Sequence, residues 1–126
     1  GVEAETVVQT KPSKYRNVRV VVDGEKFDSK REAQHWQELK LREKVGEIRD
    51  VCRQVAMPLY CPDIMLGVNV EVARYVVDFI YFNIKENRLH YVDVKGGAKG
   101  GTRTQVYALK KKWLELQCSI EVEEVH

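Results

Sequence analysis

The apolar residues of this chain fall into short runs that alternate with polar residues or are rich in β-branched side chains, as is typical of strands. Asp23-Gly24 and Glu86-Asn87 provide the turns that join two pairs of these runs, the first being a dipeptide typical of tight hairpins. Pro58 is expected to end the third run, because proline cannot donate to a strand ladder. The predicted strands cover residues 18–22, 25–27, 47–59, 68–82, 89–95 and 119–125.

Two further segments carry the signals of helix ends. Ser29 and Glu32 match the Ser-x-x-Glu capping box, and Gly46 fits the left-handed position after a helix, which predicts a helix from residue 29 to about residue 45. A second helix is expected to run through residue 117, with Thr102 or Thr104 as its N-cap. After the leading hairpin the order is therefore helix, three strands, helix and strand. This order predicts one α/β domain built around a mixed sheet.

Length and composition indicate a single globular domain. The 126 residues are 44% hydrophobic and 32% charged, and no apolar run is long enough for a membrane span. Residues 1–14 are polar and are expected to form a flexible arm, with the domain at residues 15–126. Three cysteines without a Cys-x-x-Cys pair support neither a disulfide framework nor a zinc site. With no secretory signal expected, the cysteine usage favours a reducing, cytoplasmic location.

The charges are segregated along a chain whose net charge is only +2. Residues 95–112 contain six basic residues and no acidic one, whereas residues 119–125 contain three glutamates. A local excess of positive charge in a nearly neutral protein is typical of an anion-binding surface. The glycine-rich loop at residues 96–101 lies within this basic segment, but it lacks the Gly-Lys-Ser/Thr ending of a nucleotide-binding P-loop.

The predicted hairpin across Glu86-Asn87 brings charged residues together inside an apolar stretch. With a two-residue turn, Asp78 would lie opposite Lys95 and diagonally next to Asp93. Because side chains alternate between the faces of a strand, all three would project from one face. A buried carboxylate needs a partner, which leaves two interpretations: a structural ion pair with Lys95, or a divalent-metal site made of oxygen ligands.

Glu32 adds a third carboxylate to this picture. Its helical position lies within about 40° of both Trp36 and Leu39, so it is expected to point toward the sheet from the first turn of the helix. Its alternative role is to complete the capping box of Ser29. The two roles are compatible, although one side chain is not expected to satisfy both fully.

These residues resemble the PD-(D/E)XK nuclease superfamily. The resemblance rests on Glu32 in the first helix, Asp78 in Val-Val-Asp-Phe, and Asp93-Val94-Lys95 as the (D/E)-x-K element, and it covers about residues 28–125. The superfamily's αβββαβ core, the restriction-endonuclease-like fold, has the element order predicted above. The chain departs from the pattern at Val77, where the superfamily has proline.

The chain also resembles a group of small phage and prophage proteins of uncharacterised domain type. Six motifs carry this likeness. They are Lys14-Tyr15, Asp-Gly-x-x-Phe-Asp-Ser-Lys-x-Glu-Ala at residues 23–33, Gly-Glu-Ile at residues 46–48, Asp78-Phe79, Asp-Val-Lys-Gly at residues 93–96, and the lysine-rich part of the second helix at residues 110–112.

The resemblance implies metal-dependent hydrolysis of phosphodiester bonds. Asp78 and Asp93 would hold Mg²⁺, for which Mn²⁺ can substitute, with the Val94 carbonyl and Glu32 completing the metal shell. Lys95 would orient the attacking water or stabilise the developing charge. The implied partner is DNA, branched or double-stranded. A homodimer that resolves Holliday junctions in phage DNA processing or recombination, in the host cytoplasm, is the first expectation, and a sequence-specific or recombination-coupled nuclease is the second.

The basic segment would then contact nucleic acid, although its alternative role is that of a solvated connector and helix face. Gln105 and Tyr107 could also contact phosphate or support the site. The candidate nucleic-acid contacts are Lys99, Arg103, Gln105, Lys110 and Lys111, with Lys112 beside them. The apolar residues of the same helix, expected to face the core, are Val106, Leu109, Trp113 and Leu116.

Two other classes of function remain open. The chain could be a non-catalytic nucleic-acid-binding module on a nuclease-like fold, which would bind DNA without metal and with strong salt dependence. It could also be an interaction protein whose acidic residues are only ion-paired, in which case it would bind no metal.

Overall fold

The computed structural model describes residues 19–95 and 104–126, which form an α/β domain with two helices and six strands. The order of elements after the first hairpin confirms the sequence prediction. The predicted arm at residues 1–14 and the glycine-rich loop at residues 96–101 lie outside the described residues. The elements are β1 (Val20–Val22), β2 (Glu25–Phe27), α1 (Lys30–Lys44), β3 (Ile48–Asp63), β4 (Val68–Asn83), β5 (Arg88–Val94), α2 (Gln105–Cys118) and β6 (Val122–Val125).

The described strands form two sheets. β1 and β2 make a small antiparallel hairpin, and its turn residues Asp23 and Gly24 have φ angles of 51° and 80°, as a tight hairpin requires. The other strands form a mixed sheet in the order β3-β4-β5-β6, in which only β5 and β6 are parallel. Within the part of the chain described, neither helix has the length and apolar character needed to cross a membrane.

Both helices begin at the residues that local signals predict. Ser29 Oγ accepts a hydrogen bond from the Glu32 N–H at 3.1 Å, and Gly46 follows α1 with a φ of 84°. At the start of α2, Thr104 is the N-cap and accepts from the Tyr107 N–H at 3.0 Å. Both capping contacts join residues three positions apart, which is why the sequence alone reveals them.

β3 does not end at Pro58, as the sequence predicted, but continues to Asp63. β3 lies at an edge of the sheet, so the missing N–H of Pro58 faces the open side and removes no ladder bond. On that side the Gln117 side chain makes the backbone hydrogen bonds that a neighbouring strand would otherwise make. Its Nε2 donates to the Pro58 carbonyl and its Oε1 accepts from the Tyr60 N–H, both at 2.9 Å.

The turn between β4 and β5 contains four residues, 84–87, rather than the predicted two. Asn83 Oδ1 accepts a hydrogen bond from the Glu86 N–H at 2.9 Å, and Asn87 adopts a left-handed conformation with a φ of 57°. The asparagine side chain thereby stabilises a longer turn that begins earlier than the Glu86-Asn87 pair indicated.

Two apolar clusters lie against the sheet, one packed on α1 and the other on α2. Val77 and Phe79 are two residues apart in β4 and would share a face of a regular strand, yet they belong to different clusters. The boundary between the two clusters therefore falls at Asp78, between them. The buried residues of the α1 cluster are Val20, Val22, Phe27, Ala33, Leu39, Ile48, Phe79, Tyr81 and Val92, and those of the α2 cluster are Leu59, Tyr75, Val77, Leu114 and Val122.

α2 turns a different face to the sheet from the one predicted. Leu114 is fully buried, while Trp113 is only partly so. With α2 in this orientation, the Tyr107 hydroxyl donates toward β5 and the Trp113 indole N–H donates to the Tyr60 carbonyl at 3.2 Å. The residues wrongly predicted to be buried are Val106, Leu109 and Leu116, which are 61%, 63% and 71% exposed.

Candidate active site

Asp78 and Asp93 lie side by side where the pairing of β4 with β5 ends. The predicted pairing of Asp78 with Lys95 is wrong by two residues, because the turn is two residues longer than predicted. Asp93 Oδ1 accepts a hydrogen bond from the Asp78 N–H at 3.1 Å, and Asp78 Oδ2 accepts one from the Val94 N–H at 2.8 Å. The two carboxylates thus take the place of ladder hydrogen bonds, which fixes both of them against the backbone.

The second oxygen of Asp93 is held by two tyrosines. Asp93 is only 3% exposed, and its Oδ2 accepts from the hydroxyls of Tyr75 and Tyr107, the latter at 3.1 Å. The Tyr107 hydroxyl also lies 3.0 Å from Oε2 of Glu124, which pairs with Asp93 in the parallel register. Burial, followed by the hydrogen bond to Asp93, raises the pKa of Tyr75 well above its usual range, so its hydroxyl remains a donor.

Glu32 reaches the same region from the first turn of α1. It is 5% exposed, and each of its carboxylate oxygens has one role: Oε1 accepts from the Asp28 N–H at 3.1 Å, and Oε2 accepts from the Gln54 side chain at 2.7 Å. One oxygen thus serves the start of the helix and the other faces Gln54, which agrees with the expectation that the two roles are compatible. Burial raises the pKa of Glu32.

Gln54, in β3, joins Glu32 to Asp78. Its Nε2 donates to Glu32 Oε2 at 2.7 Å and to Asp78 Oδ1 at 3.2 Å. Its φ of 52° is unusual for a residue other than glycine within a strand. Sequence reasoning missed Gln54, since no local pattern distinguishes a strand glutamine that faces a site from one that faces solvent. The only signal was its position across the β3–β4 pair from Asp78, which follows from the register.

The carboxylates influence one another electrostatically. The pKa of Asp78 is raised to about 7, chiefly by burial and further by the charges of Asp93 and Glu32, while hydrogen bonds from Val94 and Gln54 oppose the shift. A pKa that neighbouring carboxylates raise means that their negative charges are not fully compensated. A positive charge placed between them would lower the energy of the site.

Lys95 follows the Asp93-Val94 pair at the end of β5. Its backbone N–H donates to the Val125 carbonyl at 2.7 Å, and its Nζ lies 3.7 Å from the centroid of the Tyr107 ring. Among residues 19–95 and 104–126, the Lys95 ammonium forms no ion pair with a carboxylate. The structure therefore does not favour the interpretation of Lys95 as the ion-pair partner of Asp78 or Asp93.

Two of the three candidate carboxylates, Glu32 and Asp78, are oriented to bind a hard divalent cation, and Asp93 is not. Glu32 and Asp78 each point one carboxylate oxygen at the Gln54 amide nitrogen, and oxygen donors of this kind are those that Mg²⁺ binds. Asp93 is turned away from that gap, because its oxygens accept from Asp78 and from two tyrosines. Accordingly, no three His, Cys, Asp or Glu side chains of the described ranges are arranged to hold a metal ion together.

The predicted nucleic-acid contacts are distributed differently. Gln105 is exposed in the first turn of α2, and Lys110 is half-buried. Lys111 pairs with Glu115 at 3.1 Å, and Glu115 also accepts from the Val122 N–H, so this lysine helps to fix β6 to α2. Lys99 and Arg103 lie outside the described residues.

Comparison with known proteins identifies the family of the chain. The family model described as "Protein of unknown function (DUF1064)" matches residues 12–124. No curated protein and no solved structure matches the chain. The matched segment contains Glu32, Gln54, Asp78, Asp93 and Lys95. Because this family model matches most of the length of the chain, the chain belongs to the DUF1064 family.

Proposed function

We propose that the protein is a metal-dependent endonuclease that hydrolyses phosphodiester bonds in DNA, on a PD-(D/E)XK, restriction-endonuclease-like core. The observation that carries the proposal is the convergence of Glu32, Asp78 and Asp93, from α1, β4 and β5, with Lys95 two residues further on. The order of helix, three strands, helix and strand supports it, since the superfamily core has this order.

In this proposal Glu32 and Asp78 hold the cation. Asp78 Oδ2 is fixed by the Val94 N–H, which leaves Oδ1 directed at the gap shared with Glu32. Asp93 lies behind Asp78, fixes its backbone and adds negative charge, and reorientation of its side chain would make it a third ligand. A bound Mg²⁺ or Mn²⁺ would polarise the scissile phosphate and lower the pKa of a bound water.

Lys95 supplies the positive charge of the proposed mechanism. The Tyr107 ring holds its ammonium by a cation–π contact, and the ring leaves the ammonium's charge uncompensated by any described carboxylate. An ammonium held in this way can orient the attacking water and stabilise the negative charge that develops on the phosphate.

The proposed substrate is branched or double-stranded DNA, read through its backbone and shape. The basic segment at residues 95–112 supports this assignment, because phosphate contacts supply affinity without reading sequence. A homodimer would bring two such sites to one junction, as a resolvase of Holliday junctions in phage recombination requires. Such an enzyme would act in the host cytoplasm.

A cleavage assay with matched variants tests the proposal. The purified protein is incubated with Mg²⁺ or Mn²⁺ on branched, linear duplex and single-stranded DNA. Asp78→Asn and Lys95→Met are expected to abolish cleavage, whereas Asp50→Asn and Lys85→Met, at exposed positions outside the site, are expected to retain it. Cleavage by Asp78→Asn at the wild-type rate would contradict the proposal.

The second candidate is a non-catalytic nucleic-acid-binding module. One observation favours it: among the described residues no three metal-binding side chains are arranged around one position. This candidate predicts DNA binding that is indifferent to Mn²⁺ and weakens steeply with salt. Calorimetric titration of the DNA-free protein with Mn²⁺ separates the two candidates, because only the nuclease is expected to bind the ion.

A further inference from the structure

Gln54 occupies an unusual place in the middle of an edge strand. Its neighbours Arg53 and Val55 pair with β4 in the ordinary way, but Gln54 itself has a φ of 52°. Residues other than glycine are uncommon in this left-handed conformation, and outside turns such residues cluster at functional sites. The distortion is accompanied by a definite contact, because the Gln54 side chain reaches both Glu32 and Asp78.

The chemistry of the contact fixes which end of the amide faces the carboxylates. The amide nitrogen faces both carboxylates, and this orientation is the one required when they are ionised, because ionised carboxylates only accept hydrogen bonds. One nitrogen therefore supplies a hydrogen to each of two acidic side chains at 2.7 and 3.2 Å. It brings partial positive charge to a place where two negative charges would otherwise face each other.

We infer that Gln54 is a positioning residue whose amide nitrogen occupies, in the metal-free protein, the place between Glu32 and Asp78 that the cation takes. The inference rests on the proposed function and adds to it a residue outside the (D/E)-x-K element. A cation and the amide N–H₂ group cannot occupy one gap, so cation binding turns the amide away. Gln54 thereby holds the two carboxylates close together in the metal-free protein, and its amide moves out of the gap when the cation binds.

Charge-changing variants at position 54 test this inference. Gln54→Lys places a permanent ammonium between the carboxylates and is expected to raise the melting temperature of the metal-free protein while weakening Mn²⁺ binding about 10- to 100-fold. Gln54→Glu adds a third negative charge and is expected to lower the metal-free melting temperature and to enlarge the increase that Mn²⁺ produces. Gln34→Lys and Gln34→Glu, at an exposed position on α1, are the matched controls and are expected to bind Mn²⁺ as the wild type does.

A spectroscopic readout in the wild-type protein reports on the amide directly, and it needs the Gln54→Met variant only for assignment. The side-chain amide signals of Gln54 are assigned by their disappearance from the ¹H–¹⁵N spectrum of Gln54→Met. Titration of the wild-type protein with Mg²⁺ is expected to shift these signals along with the binding curve measured by calorimetry.

The possible results distinguish the two proposals. Loss of Mn²⁺ affinity in Gln54→Lys, with the Gln34 variants unchanged and the Gln54 amide signals moving, supports the inference. Wild-type Mn²⁺ affinity in Gln54→Lys, or amide signals that stay fixed while Mg²⁺ binds, overturns it and leaves the nuclease proposal intact. Absence of metal binding by the wild-type protein overturns the proposed function and this inference with it.

Discussion

Asp78 and Asp93 hold each other's strands in place: the carboxylate of Asp93 accepts from the backbone of Asp78, and the carboxylate of Asp78 accepts from the N–H that follows Asp93. The exchange replaces ladder hydrogen bonds at the point where β4 passes from one apolar cluster to the other, between Val77 and Phe79. The same two side chains are thus structural elements of the sheet and candidates for the chemistry. Variants at these positions must therefore be judged by stability as well as by activity.

Asp93→Asn is expected to lower the free energy of unfolding by about 1–3 kcal/mol, because a buried group would lose a hydrogen-bond partner. Asp93 accepts from one backbone N–H and from the hydroxyls of Tyr75 and Tyr107, and an amide nitrogen cannot accept any of these hydrogens. Urea unfolding measures the change. Glu121→Gln, at an exposed position, is the control, and an equal effect of the two substitutions would contradict this account.

The raised pKa of Asp78 predicts how stability depends on pH in the absence of metal. A carboxyl whose pKa is about 7 in the folded protein and 3.8 in the unfolded chain binds its proton more tightly when folded. The free energy of unfolding therefore falls as pH rises from about 4 to about 7, by at most about 4 kcal/mol from this group, and is flat above. Urea unfolding across this range measures the slope.

Asp78→Asn is the comparison that isolates this contribution. The variant cannot ionise at position 78, so its stability is expected to fall less between pH 4 and pH 7 than that of the wild type. Glu32 and His35, whose pKa values are raised and lowered by burial, titrate in both proteins, and their effects largely cancel in the difference. Parallel stability curves for the two proteins would show that the pKa of Asp78 is not raised.

Tyr107 is expected to act on cleavage through its ring, which holds Lys95. Tyr107→Phe keeps the ring under the ammonium, whereas Tyr107→Leu removes it. Because a cation–π contact contributes about 1–2 kcal/mol, the leucine variant is expected to cleave about 10-fold more slowly than the phenylalanine variant. Single-turnover cleavage rates at saturating Mg²⁺ measure the ratio. Equal rates would mean that the ring does not position Lys95.

Gln117→Ala is expected to destabilise the protein by about 1 kcal/mol and to promote concentration-dependent association. The variant loses the two hydrogen bonds that satisfy Pro58 and Tyr60 at the open edge of β3, and a free strand edge can pair with a second molecule. Urea unfolding and light scattering over a range of protein concentrations measure the two effects. Gln34→Ala, on the exposed face of α1, is expected to show neither.

The amino-acid sequence by itself determined the features that depend on near neighbours. Ser29 and Gly46 delimit α1, and Asp23-Gly24 turns the first hairpin, because each acts through bonds to residues a few positions away. The order of the elements followed from these signals. The inward direction of Glu32, Asp78 and Asp93 was also predictable, since helix and strand periodicity fix which residues point inward, but the pairing that sets Asp78 beside Asp93 was not.

Tertiary structure alone decided the rest. Pro58 is tolerated within β3 because that strand is at an edge with Gln117 beside it, and this partner is 59 positions away in sequence. The face that α2 turns to the sheet buries Leu114 and allows hydrogen bonds from Tyr107 and Trp113 to residues distant in sequence, which the apolar pattern of the helix does not reveal. Gln54 is part of the candidate site because the β3–β4 register places it across from Asp78. A register depends on two strands together, so neither strand's sequence alone reveals this contact.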